Sequence, residues 1–119
     1  MKKQDFLRIK SNRVKIYVAD RFFTRLRGLI GHELKEDEGL LLIPCNQIHS
    51  MFMSYPIDVV YLSEERQVIR IDRGMRPWSL GPRIKDCRFI LELRGGSVQR
   101  YGLTVGSNLS FVEMEEKNG

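Results

Sequence analysis

Two runs, Cys45-Asn46-Gln47-Ile48-His49-Ser50-Met51-Phe52-Met53 and Pro56-Ile57-Asp58-Val59-Val60-Tyr61-Leu62, decide how this 119-residue chain is read. Both are apolar and carry the β-branched and aromatic residues that suit strands, and Ser54-Tyr55-Pro56 marks the connection between them. Each also holds an ionisable group, His49 and Asp58, where core is expected. Burying such a group is costly unless it is neutral or hydrogen-bonded, so the segment needs partners for both. Paired as a hairpin with Met53 opposite Pro56, the runs place Met51 against Asp58 and His49 against Val60. His49 and Asp58 then lie diagonally on one face, within reach of each other.

Working outward, the apolar and basic alternation around Phe6-Leu7-Arg8-Ile9 and Val14-Lys15-Ile16-Tyr17-Val18 predicts an opening hairpin turning at Ser11-Asn12. Asp20 offers an N-cap, and Phe22, Phe23, Leu26, Leu29 and Ile30 recur on one helical face closed by Gly31, which predicts the main helix. Gly39-Leu40-Leu41-Leu42-Ile43-Pro44 reads as a short buried strand. Val68-Ile69-Arg70-Ile71 resumes strand alternation, with a turn expected at Arg73-Gly74, and the proline-containing segment beyond Met75 is irregular around Trp78. Phe89-Ile90-Leu91-Glu92-Leu93 is a further strand, a short helix capped by Ser97 runs towards Leu103, and a last strand begins at Leu109. The expected architecture is α+β: one β-rich domain over residues 1–119, mostly antiparallel, curled into a partly closed barrel with one main helix packed on it and a polar tail at 115–119. Connections between strands look too short for parallel crossovers.

The length fits a single core that needs no disulfide or metal. No apolar run is long enough to span a membrane, and Met1-Lys2-Lys3-Gln4-Asp5 lacks a signal-like apolar stretch, so a cytoplasmic protein is expected. The net charge of +5 is concentrated between Arg66 and Arg100, where nine basic residues face three acids. That excess fits a face attractive to anions.

The helix segment Arg27-Gly28-Leu29, the two opening runs, Pro77-Trp78, Leu91-Glu92-Leu93 with Gly96, and the stretch from Leu103 to Gly106 together resemble the bacterial and archaeal family called domain of unknown function 192, over about residues 20–112. The resemblance implies a compact, barrel-like β-rich domain with a packed helix and implies no activity or cofactor. Two places depart from the family pattern. Ser63-Glu64-Glu65-Arg66-Gln67 stands where a turn with aspartate and glycine is usual, and Ser107 stands where an aspartate is usual.

Three classes of function follow from the residues. A binding or accessory module without catalysis would use His49, Met51, Met53, Asp58, Arg73, Arg76 and Trp78, with Met75, Phe52 and Tyr55 as further apolar lining, around an acidic small molecule or peptide. A hydrolase-like enzyme would use the His49-Asp58 pair with Cys45 as nucleophile, a group four residues away that only a bend would bring close. A weak nucleic-acid binder would combine the basic excess with Trp78, Tyr55, Tyr61 and Tyr101, although no nucleic-acid motif is present. His32, His49, Cys45, Cys87 and Asp58 lack the paired spacing of a zinc site, so neither metal nor cofactor is expected. The binding module is the favoured reading.

Overall fold

The structure, a computed structural model, describes residues 3–9, 12–19, 34–43, 46–47, 55–76 and 79–112. Its strands are β1 (Lys3–Ile9), β2 (Asn12–Ala19), β3 (Glu38–Leu42), β4 (Ile57–Leu62), β5 (Val68–Met75), β6 (Phe89–Arg94) and β7 (Ser110–Val112), with the single-turn helix α1 (Ser97–Tyr101) between β6 and β7. They form one sheet in the order β5-β4-β6-β3-β2-β1-β7. All ladders but one are antiparallel, as the sequence leads one to expect. The exception corrects the expectation that no crossover has room: β2 and β3 run parallel, Lys15 opposite Glu38 through Ala19 opposite Leu42. Residues 20–37 supply the length that a parallel return requires. The main helix expected within that segment lies outside the described residues.

The sheet curls far enough for its two ends to meet at one corner. Next to β5 at one edge, Gln67 bridges Asn108, which leads into β7 at the other. Val68 N–H donates to the Ser107 carbonyl at 2.8 Å, Gly106 N–H to the Val68 carbonyl at 2.8 Å, and Leu109 N–H to the Arg66 carbonyl at 3.1 Å. The result is a half-barrel rather than an open sheet, and joining edges in this way hides backbone groups that would otherwise invite association. The turn feeding that corner forms without the usual glycine. Arg66 takes the left-handed conformation at φ 67°, and Ser63 N–H donates to the Gln67 carbonyl at 2.9 Å.

Every residue of β4 is buried, because the strand lies inside the sheet and both its faces are covered. Val60 and Leu62 point inward, packing with Leu91, Leu93, Val98 and Leu103 in the barrel core. Ile57, Val59 and Tyr61 point the other way, into a second cluster with Leu40, Leu42 and Ile90. The continuous apolar run in the sequence is therefore a record of two cores. β4 pairs with β5 along one edge and with β6 along the other, so both its ladder positions are filled by described strands. Residues 48–53, and with them the expected pairing of His49 with Asp58, lie outside the described residues.

Candidate functional site

Asp58 is 1% exposed, the least exposed acid among the described residues. Strand alternation puts it on the inner face with Val60 and Leu62, at the end of the sheet where β5 finishes and β6 runs into α1. Its Oδ1 accepts the Gly74 N–H at 2.9 Å, and its Oδ2 accepts the N–H of Gly96 at 3.0 Å and of Val98 at 2.9 Å. One carboxylate thus satisfies donors from a strand end and from the first turn of a helix, groups that would otherwise be unpaired. Ser97 is the cap that local preference favours for this helix. The N-cap is Gly96, at φ 94°, and the capping carboxylate comes from Asp58, 38 residues earlier.

The donor from β5 exists because the strand is irregular there. Ile57 is opposite Met75 but Val59 is opposite Asp72, so two steps on β4 match three on β5. The extra residue falls at Arg73-Gly74, where Gly74 adopts φ 62°, a left-handed conformation that glycine reaches without a Cβ penalty. Where a hairpin turn was expected, β5 carries a bulge and continues to Met75. The bulge turns the Gly74 N–H to Asp58 and sets Arg73 beside a cavity.

That cavity, of about 440 Å³, is bounded by Tyr55 and Pro56 before β4, Arg73 and Gly74 on β5, and Arg94, Gly95, Gly96 and Gln99 from the β6–α1 junction, with Asp58 in its wall. Arg94 is held in place: its guanidinium donates to the Leu34 carbonyl at 2.8 Å and lies 5.1 Å from the centre of the Tyr55 ring. The Tyr55 hydroxyl in turn accepts the Leu34 N–H at 2.8 Å. Arg73 and Gln99, both exposed, line it with their long side chains. The neighbouring acid, Asp72, is engaged by the Tyr61 hydroxyl and by Arg70 Nε, each at 3.0 Å. Burial, then the bond to Asp72, hold the Tyr61 hydroxyl well above the usual phenol range.

Of the residues singled out from sequence, Asp58 and Arg73 meet at this cavity, and Tyr55 joins them. Arg76 is exposed and does not line it, while Met75 packs on the outer cluster. Cys45, His49, Met51, Met53 and Trp78 lie outside the described residues. Arg94, Gln99 and the glycines were missed as site residues. Gly95-Gly96 stood out only as a breaker, and an arginine at a strand end carries no signal of what it will border.

On the outer face, Glu92 is 3% exposed and sits between Leu40 of β3 and Val59 of β4. Its Oε1 has no hydrogen-bond partner among the described residues, and burial pushes the carboxyl up to about 8. Cys87, half-buried, donates its thiol to the Phe89 carbonyl at 3.2 Å. Among the described residues there is no group of three or more His, Cys, Asp or Glu side chains placed to hold a metal ion, and no helix long and apolar enough to cross a membrane.

Fold and site together define a small half-barrel domain whose sheet end is pinned by one buried aspartate beside an arginine-edged cavity. The chain belongs to the DUF192 family, an uncharacterized ACR of unknown function, whose model matches residues 6–111. It is 28% identical over 116 residues to a UPF0127 protein of Thermococcus sibiricus, covering 93% of this chain and 73% of that one. It is 24% identical over 110 residues to a UPF0127 protein of Pyrococcus furiosus, covering 88% and 93%. Two crystal structures share the fold. A protein of unknown function from Novosphingobium aromaticivorans has a TM-score of 0.75 at 21% identity, covering 90% of this chain and 83% of that one. A protein described as a putative transcription regulator from Sinorhizobium meliloti has a TM-score of 0.77 at 20% identity, covering 92% of each.

Proposed function

We propose that this domain is a non-catalytic binding module for a carboxylate-bearing ligand, held at the cavity between the start of β4, the end of β5 and the β6–α1 junction. The observation that carries the reading is the charge arrangement around that cavity. Two arginines, Arg73 and Arg94, border it against a single carboxylate, Asp58, whose oxygens accept three backbone N–H bonds. Arginine is the side chain best matched to a carboxylate, through paired N–H donors.

The hydrolase reading needs Asp58 to orient an imidazole, and backbone donors already make three bonds to its two oxygens. The nucleic-acid reading needs a basic stripe that tracks phosphates. Part of the basic excess is instead tied to the fold: Arg70 to Asp72, and Arg100 to the Glu36 carbonyl at 2.7 Å. Calorimetric titration of the wild-type chain and Arg73→Ala with benzoate, succinate and pentaglutamate tests the proposal. At least one acid is expected to bind wild type and to lose most of its affinity in the variant. Equal behaviour of the two proteins towards all three acids would rule it out.

A further inference from the structure

We infer that the preferred ligand is a small flat monocarboxylate with an apolar body, such as an aromatic acid, rather than a dicarboxylate or an acidic peptide; this rests on the carboxylate-binding reading of the same cavity. Three features of the walls carry the inference. First, a long part of the wall is backbone without side chains, from Gly74, Gly95 and Gly96. A Cβ built on Gly74 or on Gly96 would meet no atom within 4 Å, so no side chain packs over the backbone at either place. Such a surface is smooth, and it accepts the face of a planar group.

Second, the side chains opposite are Tyr55 and Pro56, an aromatic ring and a rigid apolar ring. The Arg94 guanidinium is already set against the Tyr55 ring, 5.1 Å from its centre. A flat π system extends that stack, since guanidinium planes and aromatic faces attract each other. Third, the cations are few and localised. Arg94 is anchored through the Leu34 carbonyl, and Arg73 lines the cavity together with the single neutral amide of Gln99. This arrangement meets one anionic head at Arg73, while the buried Asp58 carboxylate in the wall disfavours a second. The volume, about 440 Å³, lies towards the small end of the roughly 300–1,000 Å³ usual for ligand pockets and fits a compact acid.

The experiment is a titration of the full chain with benzoate and indole-3-acetate as planar acids, cyclohexanecarboxylate as a saturated acid of similar size, succinate as a dicarboxylate, and pentaglutamate as an acidic peptide. Binding is read by calorimetry and by amide chemical-shift changes. The planar acids are expected to bind at least about fivefold more tightly than the other three, with shifts centred on Gly74, Gly95 and Gly96. Affinity is expected to fall tenfold or more in Arg73→Ala. It should fall similarly in Gln99→Trp, which crowds the cavity from an exposed helical position and leaves the core untouched. If the saturated acid, succinate or pentaglutamate binds as tightly as benzoate in an Arg73-dependent way, the flat-ligand inference is overturned and the carboxylate reading survives. If none of the five acids binds in an Arg73-dependent way, both are overturned.

Discussion

Asp58, a candidate site residue by its place in the sequence, also ties three parts of the fold together. A buried carboxylate receiving three charge-assisted hydrogen bonds holds β4, β5 and α1 in one geometry, and removing it leaves three donors without an acceptor. Asp58→Ala is expected to lower stability by roughly 1–3 kcal/mol, read from urea unfolding. Asp58→Asn should recover only part of that, because its amide nitrogen turns a donor towards backbone donors. Glu92 is the opposite case, a buried acid whose Oε1 lacks a partner. Its carboxyl is raised by burial from about 4.5 to about 8, so the folded state holds a proton that the unfolded state releases between those values. Stability from this group is therefore fully present below about pH 4.5 and declines as pH rises towards 8, where it levels off. Glu92→Gln removes the decline. Thermal unfolding is expected to show the variant more stable than wild type by about 2–4 kcal/mol at pH 8 and within about 1 kcal/mol at pH 4. A wild-type advantage at pH 8 would mean that the ionised carboxylate has a partner.

Among the elements, β5 and α1 owe their shape to contacts far away in sequence. The bulge at Arg73-Gly74 was legible only as a glycine after an arginine, which reads equally well as a turn; the unmatched step against β4 is what makes it a bulge. Gly74→Ala introduces a Cβ at φ 62° and is expected to cost about 1–2 kcal/mol while displacing Arg73 from the cavity, measured by chemical denaturation together with benzoate titration. Gly95 has a different constraint. A Cβ there would lie 3.2 Å from the Pro56 carbonyl oxygen, which itself accepts the Gly95 N–H at 3.2 Å. Gly95→Ala should therefore push β6 from the start of β4, with a stability loss of similar size. The helix could be placed from Gly95-Gly96 and the following apolar residues, yet its cap could not. Ser97 is a good capping type by local preference, and a carboxylate arriving from β4 took the role.

For the molecule as a whole, burial on both faces makes the middle of the sheet its most stable part. Amides of Val59, Val60 and Tyr61 and of Leu91 and Leu93 are expected to show the slowest hydrogen exchange, and those of β7 and the outer end of β5 the fastest, measured by NMR. Uniform protection across the sheet would show instead that the closure at Gln67 and Asn108 binds the edges as firmly as the centre. Much of this protein is legible in the order of its residues: a single β-rich domain, the positions of the opening hairpin, β3, β4 and β6, and the presence of an acid in the core. Those features follow from local composition and side-chain alternation, which act over a few residues. Tertiary structure alone decided that β4 lies between β5 and β6, that β2 and β3 run parallel, and that Asp58 answers to Gly74, Gly96 and Val98. It also decided that Arg73 and Arg94, 21 positions apart, border one cavity. Periodicity states which face a residue takes and is silent on which strand will lie beside it, because that choice is made by packing among segments distant in the chain.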